Sequence, residues 1–202
     1  MKNLDKKIFL NLGAGSDIKV DYINHDIVAL PDINVVHNLN HYPWPWDNNS
    51  IDEVQAIDLL EHLDDFILAM EELYRIIKPG GRLYIKVPYW NSAYTFMDPT
   101  HKRGFHENTF HFFDPSKELC QLRHYYSHAR FIIESEVFVL LPFAPYLKIP
   151  FVKELNVEGK FLKRVVGFFG NLVSNIILDL KITMTKPTDT SKTDSFFASI
   201  KI

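Results

Sequence analysis

Short apolar runs separated by turn residues fill the first two thirds of the chain, with one helical stripe among them. Residues 8–12 form a compact apolar run that stops at Gly13-Ala-Gly15, the pattern of a buried strand entering a glycine turn. Residues 22–27 and 34–37 read as two further short strands. A fourth, 51–57, follows the turn-forming Asp47-Asn-Asn-Ser50, and a fifth, 82–88, carries Leu83, Ile85 and Val87 in alternation. Long β-branched runs over 131–140 and 176–185 predict a final strand pair. Phe66, Met70, Leu73 and Ile77 recur at helical spacing, and Ile67 and Ile76 widen that apolar stripe. Asp64 or Asp65 is placed to cap the first turn, where a carboxylate also meets the positive end of the helix dipole. Lys78-Pro-Gly-Gly81 ends the helix, because proline cannot continue the ladder and glycine accepts a left-handed turn.

The fold class that follows is α/β: a Rossmann-like, mostly parallel sheet with a C-terminal antiparallel strand pair. Only residues 16–21 separate the glycine turn from the second strand, whereas a parallel crossover ordinarily takes about a dozen residues, usually as a helix. The first crossover helix is therefore expected to be shortened or missing. Residues 1–185 are read as one domain, with a long loop over about 89–114 and a basic amphipathic cap over about 142–172. The polar stretch 186–202 is read as a flexible tail.

Composition narrows the classes. A chain of 202 residues, 47% hydrophobic, buries one good core and would be cramped as two domains. A net charge of -3 gives no support for a polyanion binder, so no nucleic-acid partner is expected. Cys120 is the only cysteine, which excludes an intramolecular disulfide or a cysteine-rich metal site. The apolar run 8–12 is too short for a signal-peptide core or a membrane span, and a cytoplasmic address follows by default. Between 146 and 172, Lys148, Lys153, Lys160, Lys163 and Arg164 outnumber Glu154 and Glu158. That segment reads as a helix pair capping the sheet with its lysines in water; the alternative is peripheral contact with an anionic membrane or a lipid-linked glycan.

The candidate chemistry begins at the glycine turn, where the lack of a Cβ lets a ligand approach the backbone. Asp26 closes the second strand, where a carboxylate can accept from both hydroxyls of a ribose. Ile18 stands where a dinucleotide fingerprint would want glycine or alanine, which argues against a nicotinamide enzyme. Two later stretches, PWPWDNNSIDEVQAIDLLEHL from Pro43 and RIIKPGGRLYI from Arg75, complete a series in fixed order. The series resembles the class I S-adenosylmethionine-dependent methyltransferases, of the small bacterial methyltransferase-11 type. The resemblance covers residues 8–88 and more loosely reaches Asp114. It implies an enzyme with S-adenosylmethionine as cofactor. It assigns Leu12, Gly13, Ala14 and Gly15 to the methionine portion, Asp26 to the ribose, Asn38 and Leu39 to the adenine, and Asp58 and Leu59 to the pocket floor. Asn38 replaces the aspartate common in the family, and its amide oxygen still accepts from an adenine amino group.

The acceptor side is expected on the loop after the fifth strand, rich in aromatics, prolines and titratable groups. His101 is the candidate base, with Asp98 orienting its imidazole and Lys102, Arg103 and His106 facing a small-molecule or glycan acceptor. A plain loop is the competing reading, since Asp98-Pro opens turns readily. Asp98, His101, His106 and His111 lie close in sequence, as do His124 and His128, but none has a familiar zinc spacing, so no metal site is expected. The alternative to an enzyme is a non-catalytic domain binding a nucleoside or a partner.

Overall fold

The computed structural model describes residues 6–140, 155–157, 164–165 and 177–189. Five parallel strands come first: β1 (Phe9–Leu12), β2 (Tyr22–Asp26), β3 (Val35–Val36), β4 (Ile51–Ile57) and β5 (Ile77–Pro88). With β6 (Ile132–Leu140), β7 (Leu155–Val157) and β8 (Ile177–Thr185) they form one sheet in the order β3-β2-β1-β4-β5-β8-β6-β7. β8 lies antiparallel between β5 and β6, so β6 keeps the direction of the first five and β8 is the strand that reverses. From β1 the chain steps outward to β2 and β3, then returns to build β4 and β5 on the other side. That reversal fixes where a ligand can sit, in the crevice beyond the carboxyl ends of β1 and β4.

Helix α1 (Phe66–Ile76) covers one side of the sheet. Asp65 is its cap, its side chain accepting from the Leu68 amide at 2.9 Å. Phe66, Ala69, Met70, Leu73 and Ile76 bury one stripe and join Val54, Ala56, Leu83, Ile85 and Val87 in a single core. Each large aliphatic side chain so buried contributes about 1.5–3 kcal/mol, and Leu73→Ala would cost about 2–5 kcal/mol through the cavity it leaves. The alternate positions Glu53, Gln55, Tyr84, Lys181 and Thr183 line a shallow polar hollow on the opposite face. There Gln55 Nε2 donates to the Tyr22 hydroxyl at 2.9 Å, and that hydroxyl donates to Glu53.

The first crossover contains no helix. Residues 13–21 reach at most ~30 Å when extended, ample to return along a four-residue strand. Asparagine side chains hold them in place. Asn11 Nδ2 donates to the Asp17 carbonyl at 2.8 Å and to Asn24 Oδ1 at 3.1 Å, while Asn24 Nδ2 donates to the Lys19 carbonyl at 3.0 Å. Asn11 and Asn24 are buried, so these bonds satisfy groups that would otherwise be costly to desolvate.

Lys78-Pro-Gly-Gly81 ends α1 as expected and does one thing more. Residues 78–81 bulge out of β5 opposite Asp52, since Ile77 pairs with Ile51 and Arg82 with Glu53. A Cβ on Gly81 would meet Ile77 Cγ2 at 2.7 Å, so this bulge admits only glycine there. Lys186 begins the stretch expected to be flexible, yet it is buried, donating to Asn49 Oδ1 at 2.7 Å and to the Tyr74 and Ile77 carbonyls at 2.6 and 2.8 Å. Residues 190–202 lie outside the described residues, as does most of the basic cap over 142–172. Within that cap, residues 155–157 form the edge strand β7 rather than a helix. Among the described residues, no helix is long and apolar enough to cross a membrane.

Candidate functional site

The carboxyl ends of β1, β2 and β4 and the segment after β3 surround a cleft of about 440 Å³. Gly13, Asp26, Asn38, Leu39, Asp58 and Leu59 all line it. Leu12 and Ala14 are buried behind it, so neither offers it a side-chain surface. The turn's geometry shows why glycine is needed: φ is +66° at Gly13 and +49° at Gly15, and a Cβ on Gly13 would meet Leu59 Cδ1 at 3.0 Å. Its amides are already engaged by β2. Gly13 N–H donates to His25 Nδ1 at 3.4 Å, Ala14 N–H to the His25 carbonyl at 2.8 Å, and Gly15 N–H to Asp26 Oδ2 at 2.8 Å. The turn therefore offers a ligand close approach rather than free donors.

Asp26 also accepts from the Val28 amide at 3.0 Å through Oδ1. A carboxylate has about four lone-pair sites, so two remain for hydroxyls. Asn38 Oδ1 accepts from the Asn40 amide at 3.0 Å and keeps one lone pair free. Leu39, Leu59, Leu63 and Ile27 supply apolar walls. Apolar walls with a carboxylate at one end and an amide at the other suit a nucleoside, and the volume falls within the range of small-molecule pockets.

His25 was not among the residues expected from sequence, although it lines the cleft. Its Nδ1 faces the Gly13 N–H and its Nε2 lies 2.9 Å from the His37 carbonyl, so Nε2 carries the proton. Burial holds its pKa below the ordinary histidine value. The imidazole is thus a neutral brace between the glycine turn and the segment after β3.

A second hollow of about 380 Å³ adjoins the first. Asp58 and Lys86 at the ends of β4 and β5, Asp98 and His101 from the loop, Glu61 and Asp179 line it, and Asp58 belongs to both. Asp58, at φ +49°, pairs with Lys86 Nζ at 3.1 Å, and Lys86 reaches Asp179 at 3.3 Å.

His101 reaches this hollow, but with partners other than those expected. Its Nδ1 donates to the Thr95 carbonyl at 3.1 Å, and its Nε2 lies 4.0 Å from Glu61 Oε1. Asp98 does not orient it. Asp98 Oδ1 instead accepts from the Thr100 amide at 2.8 Å and hydroxyl at 2.7 Å, a local turn of the kind aspartate favours. Lys102 and Arg103 turn away from the hollow as well. Lys102 pairs with Asp64 on the surface, and Arg103 Nη2 donates to the Leu63 and Asp64 carbonyls at 3.1 and 2.7 Å. These contacts fasten the loop to the turn after β4. His106 accepts from the Asn108 amide at 3.2 Å as a helix cap and stacks on Tyr89. Among the described residues, neither the Asp98, His101, His106 and His111 group nor the His124 and His128 pair gathers into a metal-ligating cluster of its own.

Glu61 is the residue the sequence reading passed over. It sits in the LLEHL stretch, only 1% exposed, and Oε2 has no hydrogen-bond partner among the described residues. Burial raises its pKa to about 8. A glutamate flanked by the core residues Leu60 and Leu63 was the available signal.

A doubly wound sheet with a cleft of this size at its switch point and an antiparallel last strand is a Rossmann-like α/β fold, similar to that of solved S-adenosylmethionine-dependent methyltransferases. Residues 11–85 match the family model of a methyltransferase domain, methyltransferase-11. No curated protein matches the chain. Among solved structures, a S-adenosylmethionine-dependent methyltransferase from Archaeoglobus fulgidus is similar at TM-score 0.56 and 19% identity, over 90% of this chain and 87% of that one. A Thermotoga maritima methyltransferase, described as a possible histamine N-methyltransferase, gives 0.54 and 18%, over 91% and 84%. The cyclase SpnF gives 0.51 and 15%, over 92% and 78%. At these identities the likeness is one of fold, and the chemistry is argued from the site.

Proposed function

We propose that the chain transfers the methyl group of S-adenosylmethionine to a small-molecule or glycan-precursor acceptor seated beside His101. The observation that supports this reading is that the two hollows share Asp58, so an acceptor in one would lie next to a cofactor in the other. Asp26 would hold the ribose hydroxyls, Asn38 and Leu39 the adenine, and Gly13 would meet the methionine portion; Ala14 and Gly15 do not line the cleft. When bound, the cofactor supplies a methyl group on a sulfonium, which an acceptor atom displaces in line. Alignment does most of that work. A hydroxyl acceptor must also lose its proton, and His101 Nε2 is the neutral nitrogen available to the second hollow. Cofactor chemistry of this kind also suits an amine, for which the lone pair attacks directly.

The test is label transfer from methyl-labelled S-adenosylmethionine to a panel of sugar nucleotides and small hydroxyl and amine compounds. Labelled product with release of S-adenosylhomocysteine supports the reading. Tight cofactor binding without transfer to any of them would favour the second reading, a nucleoside-binding domain without catalysis, to which the absent first crossover helix gives some weight.

A further inference from the structure

We propose that Glu61, His62 and His101 form a binding site for a divalent first-row transition cation at the junction of the two hollows. One ligand atom from each of the three lies within 4.8 Å of the others. Small side-chain rotations bring such atoms to the ~3.3 Å spacing set by bonds of about 2.0–2.1 Å in a tetrahedron. His62 and His101 meet edge to face with ring centroids 4.6 Å apart.

The proton positions favour this arrangement. His101 Nδ1–H is held by the Thr95 carbonyl, which leaves the Nε2 lone pair free toward Glu61. Thr100 has one hydroxyl proton and donates it to Asp98, so His62 Nδ1 must donate to Thr100 Oγ1, at 2.8 Å. Both imidazoles therefore present Nε2 as the free nitrogen, each fixed through Nδ1–H by an oxygen. That is how proteins orient metal-bound histidines. Glu61 supplies the third donor. A carboxyl group 1% exposed, with an oxygen unpartnered among the described residues, is costly to ionise unless a cation meets it.

The surroundings agree in sign. Among the described residues, Asp58, Glu61, Asp98 and Asp179 carry the carboxyl groups that line the second hollow, and Lys86 is the one ammonium there. Two imidazoles and one carboxylate suit zinc, cobalt, iron or nickel better than magnesium or calcium, which prefer oxygen alone. Three protein ligands leave a coordination position for an acceptor hydroxyl, whose proton a cation makes easier to remove; with the cation bound, His101 Nε2 is a ligand and not the base, and that proton passes to water. This role rests on the methyl-transfer reading, deepening it; binding of the cation does not.

The test therefore uses neither cofactor nor acceptor. Chelator-treated protein is titrated with Co²⁺ and followed by its visible absorption, then with Zn²⁺ as competitor. One equivalent of Co²⁺ is expected, with bands abolished by Zn²⁺. His62→Ala, His101→Ala and Glu61→Gln should each weaken binding at least tenfold, with circular dichroism verifying that they are folded; Glu61→Gln keeps the shape of a buried neutral side chain. His128→Ala, at an exposed histidine paired with Glu71, should bind as the wild type does. Failure to bind Co²⁺, or equal binding by the His62→Ala/His101→Ala double variant, would overturn the site. Methyl transfer indifferent to chelators alongside intact cation binding would remove the acceptor role and leave the methyltransferase reading standing.

Discussion

The cleft beyond β1 and β4 and the hollow beside His101 share Asp58 but are built by different means. The cleft is assembled from strand ends, so its residues are set by where β1, β2 and β4 stop. Its wall amides bond inward, as those of the glycine turn do to His25 and Asp26. The hollow takes Lys86, Val139 and Asp179 from strands, but Glu61 from the turn after β4 and Asp98 and His101 from the loop after β5 come together across about 40 positions of sequence. A site made of strand ends follows from the fold; a site made of loop side chains depends on which of several near partners each one takes.

Substitutions can sharpen that contrast. The largest expected effect is His101→Ala, which should lower turnover by about 10²–10⁴-fold while leaving cofactor affinity unchanged. Steady-state rates and calorimetry together check it, and an equal loss of affinity would mean that the two hollows are not separable. Asp26→Ala is the converse. It should weaken S-adenosylmethionine binding by about 1.5–3 kcal/mol, roughly 10–100-fold, through loss of a charged acceptor. Turnover at saturating cofactor should change little.

Arg103→Ala is expected to act on stability instead, by about 1–2 kcal/mol in urea unfolding, because its guanidinium holds two carbonyls of the turn after β4. Acid should reach the cleft through His25. Its folded pKa lies below the ordinary value near 6.5, so the unfolded chain takes up this proton first and stability falls as pH drops below that value. Comparing urea midpoints at pH 7.5 and 5.5 in wild type and His25→Gln isolates this contribution, which the variant should lack. Lys102→Ala, at an exposed pair with Asp64, should cost less than about 1 kcal/mol and leave the acceptor KM unchanged.

The strands were legible because period-two runs and turn residues mark their ends; β4 spans Ile51–Ile57 as read. The same marks pointed to Gly13 and Asp26, while Asn38 and Asp58 came from the family resemblance; all four line the cleft. The missing crossover helix was legible from length alone, but not the asparagine bonds that replace it. The acceptor side was read by adjacency, which paired Asp98 with His101 and turned Lys102 and Arg103 toward a substrate. Folding gave Asp98 to Thr100, His101 to Thr95 and Glu61, and Arg103 to the carbonyls of Leu63 and Asp64. Hydrogen-bond competition within a loop is decided by backbone turns of a few residues, and no spacing rule encodes it.

The central claim is that the crevice between β1 and β4 binds S-adenosylmethionine through Asp26. Titration calorimetry of the wild type and Asp26→Asn with S-adenosylmethionine, S-adenosylhomocysteine and NAD tests it in one set of measurements. The account predicts a single site for the first two ligands, weakened in the variant, and no heat of binding for NAD. Tighter binding of NAD, or equal affinities in wild type and variant, would contradict it.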